Sequence, residues 1–242
     1  MKHPLLNVLL MVSATLLTAC DEGDIVDATF TDPTETLAVK FEGEVSGLDA
    51  WTDGYDVVVA AFDDASDYSV VQKQMTASAD GRSALTLSGI PTSATSIELC
   101  VTNRLRRRVV TFESIALPAA GGTPTDTLHL RLSAPLDVSM MASIQRYIFD
   151  DAACSCSLCH SGPNARAGLD LSEGRSAGSL VGVASSRVDG ATRVVPGNAA
   201  ESVLHQALAE GNPAGLRYDH SNLLTAVLRR LVDDWIDGGA KE

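Results

Sequence analysis

Positive charge is scarce in this chain. Against 31 Asp and Glu it sets 18 Lys and Arg, for a formal net charge of −13 and a pI near 4.7. A phosphate-neutralising surface is therefore missing, and nucleic acid is not an expected partner. Long apolar runs are equally scarce: after residues 5–17 no segment is fit to span a bilayer. Methionine is limited to five residues, none of them after Met141. There is no internal repeat, and no acid, base and nucleophile array that argues for an enzyme.

What is present fits a folded chain of one or two domains: 242 residues, 45% hydrophobic and 20% charged. Lys2 and His3 precede the apolar stretch 5–17, which has the length of a signal-peptide core. It ends in Leu17-Thr18-Ala19-Cys20, which resembles the lipobox of bacterial lipoproteins. That resemblance implies a signal peptide over 1–19, lipid on Cys20, and anchoring by acyl chains. The alternative is an ordinary secretory signal with a chance cysteine. Residues 20–35 are acidic and aperiodic and read as a tether. Asp21 and its neighbours resemble inner-membrane retention signals in some lipoproteins and surface-export signals in others. The expected location is thus the cell envelope of a Gram-negative-type bacterium, on either membrane, facing periplasm or cell surface.

Residues 36–135 carry short alternating apolar stretches, such as 37–45, 97–101 and 128–132, punctuated by Asp53-Gly54, Asp80-Gly81 and Gly121-Gly122. The spacing predicts an all-β antiparallel sandwich, immunoglobulin-like in kind, serving as an interaction or spacer module with a protein partner. Arg104, Arg106, Arg107 and Arg108 are its one concentrated basic patch, and Trp51 and Tyr55 form an aromatic pair near a turn. Each reads equally as ordinary surface or packing.

After Pro135 the period changes. Met141, Ile144, Tyr147 and Ile148 recur at helical spacing behind Asp137 or Ser139 as cap. A helix near 199–209 and a last one over about 223–237 follow. The last has Leu224, Leu228, Leu231 and Trp235 on one face, Ser221 or Asn222 as cap and Gly238-Gly239 as stop. A small all-α domain over 136–242 is expected, making the protein multidomain.

The chemistry centres on Cys154-Ser155-Cys156-Ser157-Leu158-Cys159-His160. Cys-x-x-Cys-His is the attachment spacing of c-type haem: two thiols reach two vinyl groups and the adjacent imidazole faces the iron. A redox thiol pair or a zinc site are the alternatives, the first without a surrounding βαβ pattern. The order of Cys156–Gly162, Ala167-Gly168-Leu169-Asp170-Leu171, Val195-Pro196-Gly197-Asn198 and Trp235–Ala240 resembles a class I-like single-haem cytochrome c domain. The resemblance covers about 136–242 only. It implies one covalent haem c on Cys156 and Cys159, with His160 as proximal iron ligand.

That family usually places a methionine before its last helix, where this chain reads Gly215-Leu216-Arg217-Tyr218-Asp219-His220. His220 is therefore the candidate distal ligand; His205, Met140, Met141 or an open position are the alternatives. With Cys20 on lipid and two cysteines on haem, Cys100 and Cys154 remain, either as a disulfide or as two separate thiols. The expected function is one-electron transfer with redox proteins of the envelope. The alternatives are a haem-bearing binding or assembly lipoprotein, or a haem peroxidase or gas sensor if the sixth position is open. Cys20→Ser is expected to move the protein from the membrane to the soluble fraction, since no other segment is fit to hold it there. Ultracentrifugation with immunoblotting checks this, and unchanged retention would point to another anchor.

Overall fold

Strand β1, Leu37–Ser46, follows its sequence alternation: Val39, Phe41 and Val45 are buried, while Lys40, Glu42 and Glu44 between them reach water. β2, Tyr55–Phe62, and β5, Ser96–Asn103, read as continuous apolar runs because both faces are covered. On one face Val57, Val59, Ala61, Ile97, Leu99 and Val101 join the main core. On the other, Val58, Ala60, Phe62 and Cys100 form a small separate cluster. The Arg108 guanidinium lies 4.7 Å from the centre of the Phe62 ring and pairs with the buried Glu98 carboxylate.

The structure is a computed structural model and describes residues 37–78, 81–118 and 127–242. The expected signal peptide, the lipid site Cys20 and the 20–35 tether lie outside the described residues. Two sheets are present. One is ordered β4 (Arg82–Ile90), β1, β7 (Leu128–Arg131), with β8 (Leu136–Asp137) also on β1; the other is β3 (Val71–Gln74), β2, β5, β6 (Arg108–Ala116). The second is antiparallel throughout, with Val59 opposite Leu99. In the first, β1 runs antiparallel to β4 but parallel to β7 and β8, placing Phe41 opposite Leu130. The expected all-β N-terminal part is present, although its first sheet is mixed rather than wholly antiparallel.

The expected small all-α domain after residue 135 is corrected. Among the described residues strand outweighs helix, and α5, Ala226–Asp237, is the one helix that runs for three turns. α1 (Met140–Ile144), α2 (Cys156–Cys159), α3 (Ser176–Leu180) and α4 (Val203–Leu208) are four to six residues long. Turns and isolated bridges such as Val181 to Val194 fill the rest. Local hydrogen bonding explains the shortening. Residues 199–202, expected to be helical, form a turn in which the Ser202 hydroxyl accepts the Val195 N–H at 2.8 Å and donates to the Asn198 carbonyl. The last helix starts three residues late because Thr225, not Ser221, is its cap, accepting the Leu228 N–H. The helix before the motif is capped by Ser139 as expected, then widens into a π-turn over Gln145–Phe149.

Thr36–Glu242 form one compact unit. Phe41 and Leu99 from the sheets share a core with Ile144, Ile148, Leu231 and Trp235. Among the described residues one polar tie joins two loops and two join strands to helical segments. The Trp51 indole N–H donates to the Val138 carbonyl at 2.7 Å, the Tyr55 hydroxyl to Asp234 at 2.8 Å, and the Tyr147 hydroxyl to the Thr111 carbonyl at 2.6 Å. Among the described residues no helix is long and apolar enough to cross a membrane. Gly238, at the end of α5, sits so close to Thr52 that a Cβ would collide with the threonine methyl. Gly238→Ala should therefore cost about 1–3 kcal/mol in urea unfolding, and adding Thr52→Ser, which deletes that methyl, should restore most of it.

Candidate metal centre

The motif is presented by a turn whose hydrogen bonds are short-range. Ser155 N–H donates to the Asp151 carbonyl at 2.8 Å and Ser155 Oγ to the Ala152 carbonyl at 2.7 Å. Ser155 itself adopts a left-handed conformation, φ 50°. One helical turn, α2, then carries Cys156 and Cys159 on one face at i and i+3. His160 closes it, its N–H bonded to the Cys156 carbonyl at 3.0 Å.

The tautomer of His160 is set by its surroundings. Nδ1 lies 3.0 Å from the Arg166 carbonyl, which can only accept, so Nδ1 carries the proton and Nε2 the lone pair. The loop supplying that carbonyl is held from behind by Arg193. Its guanidinium donates to the Ala167 carbonyl at 2.9 Å, the Gly168 carbonyl at 3.2 Å and the Ser179 carbonyl at 2.7 Å. The His160 carbonyl accepts the Leu171 N–H at 2.7 Å. Leu171 is buried, and its own carbonyl takes a hydrogen bond from Gln145.

His220 arrives from the loop before α5. Its carbonyl accepts the Leu223 N–H at 3.1 Å, and Arg229 on α5 donates to the next carbonyl, that of Ser221, at 2.9 Å. The Tyr218 ring stands edge-on to the His220 imidazole, centroids 4.9 Å apart. The two imidazoles, His160 and His220, have ring centroids 6.4 Å apart and planes at 36°.

Burial lowers the pKa of both imidazoles, for His220 with help from the nearby His160. Both are thereby kept neutral, as metal ligands must be. His220 Nδ1 is buried without a hydrogen-bond partner. Leu158 and Tyr218, each two residues from one of these histidines, are 83% and 60% exposed and belong to the few large hydrophobic side chains the described residues leave in water. A planar apolar ligand would cover such surface. Among the described residues no group of three or more His, Cys, Asp or Glu is placed to hold a metal ion.

The other sequence candidates lie elsewhere. His205, on α4, is bonded through Nδ1 to Asp233 at 2.7 Å. Met140 and Met141 are buried, and the Met140 sulfur faces the Thr52 hydroxyl at 3.8 Å. Cys159 is free and exposed, whereas Cys154 is disulfide-bonded to Cys156. The expected partner of Cys154, Cys100, is a free thiol on β5, fully buried, and its pKa is raised by that burial. Of the four arginines of the basic patch, Arg106 bonds to Ser69, while Arg107 and Arg108 pair with Asp67. Trp51 and Tyr55 pack 5.5 Å apart along a cleft of about 840 Å³ that also takes in Arg104, Arg230 and Asp234. Sequence reasoning missed the Arg166 carbonyl, Arg193 and Tyr218. Only Tyr218 carried a signal, its position beside His220.

Comparison of the chain with protein-family models, curated proteins and solved structures gives no match.

Because Arg193 serves three carbonyls with one planar fork, Arg193→Ala should lower stability by about 1.5–3 kcal/mol. Arg193→Lys should recover less than half of the loss, since an ammonium group cannot span the same acceptors. Denaturant titration of the three proteins checks both statements.

Proposed function

We propose that the chain is a membrane-anchored c-type cytochrome that passes single electrons in the cell envelope. Cys156 and Cys159 would hold one haem covalently, and His160 and His220 would offer their imidazoles to its iron. The observation that carries the reading is the 6.4 Å separation of two half-buried imidazoles contributed by distant loops. The His160 to Arg166 hydrogen bond supports it, since it leaves Nε2 free for iron.

When bound, the haem supplies a one-electron ferrous/ferric couple. The chain's residues do the rest. His160 is oriented by a carbonyl, His220 is held by the front turn of α5, and Leu158 and Tyr218 offer apolar cover. Two imidazoles in place of an imidazole and a thioether give a lower potential than a His/Met cytochrome has. A peroxidase or gas-sensing role needs an open sixth position, which this placement of His220 disfavours. A redox thiol pair on Cys156 and Cys159 would leave the paired histidines without a task.

Exported together with haem-maturation machinery, the protein should gain one haem that survives denaturation, and Cys156→Ala with Cys159→Ala should abolish it. The ferric protein should be low-spin without a methionine-to-iron band. His220→Ala should shift it to high spin and admit carbon monoxide, while His205→Ala leaves the spectrum intact. No haem stain on the denatured band would refute the cytochrome reading; a silent His220→Ala would refute only the ligand assignment.

A further inference from the structure

The cleft of about 840 Å³ beside Trp51 and Tyr55 has no task in electron transfer. The turn 49–55 forms one side of it, the tip of the β5–β6 hairpin at 103–105 the second, and the C-terminal half of α5 with Lys241 the third. Each side is held by bonds that leave the cleft itself open. The Trp51 indole N–H is tied to the Val138 carbonyl and the Tyr55 hydroxyl to Asp234, which Arg230 holds in turn at 2.7 Å. The two rings therefore stand as one fixed wall, centroids 5.5 Å apart and planes at 48°. At the hairpin tip the Asn103 side chain accepts the N–H groups of Leu105 and Arg107, each at 3.0 Å. Arg104 lies across Gly54, where a Cβ would come within 2.9 Å of its Nε.

Among the described residues the charged ends of Arg104, Asp49, Asp53 and Lys241 make no hydrogen bond or ion pair, which leaves donors and acceptors alike for a ligand. The lining sets three cations, Arg104, Arg230 and Lys241, against four carboxylates, Asp49, Asp53, Asp234 and Asp237. A ligand of strong net charge would meet repulsion as well as attraction there. Met140 and Trp235 are buried, so the large apolar surface on offer is the aromatic wall and the exposed Leu105. We propose that this cleft binds a short uncharged oligosaccharide. A pyranose ring lays its C–H face against an aromatic ring, and its hydroxyls both donate and accept, so guanidinium, ammonium and carboxylate groups all serve it. The volume is that of a small-ligand site, and walls already locked need no ordering on binding. The topology gives the cleft a direction. β1 runs from Leu37, opposite Ile90, to Ser46, opposite Asp137, a length of about 30 Å. The cleft lies at the Ser46 end, and the chain before Leu37 enters at the other. With the anchor on Cys20, the cleft is thus at the end of the strands remote from the tethered one; that orientation rests on the lipid reading, and the binding itself does not.

The test is isothermal titration calorimetry of the detergent-extracted full chain with cellotetraose, maltotetraose and chitotetraose, and with an alternating lysine–aspartate peptide as the competing class. At least one of the sugars is expected to bind. Arg104→Ala and Asp53→Asn should each weaken that sugar about tenfold while leaving Tm unchanged, because both side chains are exposed and unbonded. No binding of any of the three sugars at millimolar concentration, a sugar affinity indifferent to both substitutions, or binding of the peptide alone would overturn the proposal. Haem-free and haem-loaded protein should bind alike, so a failure of the cytochrome reading leaves this result standing.

Discussion

A single shared hydrophobic core is the constraint on which the rest of the molecule depends. The chain has only two tryptophans and five phenylalanines, and Trp235, Phe41 and Phe149 are all spent in that core, with Ile144, Leu99 and Leu231 beside them. Neither the sheets nor the short helices hold enough large apolar side chains to close a dense interior alone. The two elements that flank the His160 and His220 loops, the helix before the motif and α5, are therefore fixed by burial against strands. The irregular loops between them are positioned by these fixed ends.

Within the loops, order comes from polar ties rather than from regular structure. Arg193 gathers three carbonyls, and the loop it holds turns one more carbonyl, that of Arg166, towards His160. On the other side Arg229 holds the Ser221 carbonyl and with it the approach of His220. Charge-assisted bonds to carbonyls are among the stronger ones available to a chain. Burial lowers the pKa of the imidazole on each side, in a protein whose overall charge is strongly negative.

The sequence made some of this legible. Alternation exposed β1, the valine run exposed β2, Ser139 marked a helix start, and the Cys-x-x-Cys-His spacing singled out His160. The missing methionine directed attention to His220, and the structure brings that residue to His160. Other features had no local signature. Alternation of side chains is the same in parallel and antiparallel pairs, so the parallel β1–β7 ladder was invisible. Helical periodicity over 199–209 did not reveal that the Ser202 hydroxyl would capture a backbone N–H and delay the helix. Cysteine counting left Cys100 and Cys154 as a disulfide or as two separate thiols, and Cys100 is a free thiol buried on β5.

The hydrogen bond between Tyr55 and Asp234 joins residues 179 apart in the sequence, and α5 inserts Trp235 and Ile236 into an interior that it shares with strands formed much earlier in the chain. A polypeptide threaded through a membrane from its amino end would have every strand outside before the element that completes their interior emerged. Tertiary closure would then be a late event in export. For that interval the cysteine-bearing turn, whose Cys156 packs against this interior, would lack part of its final support.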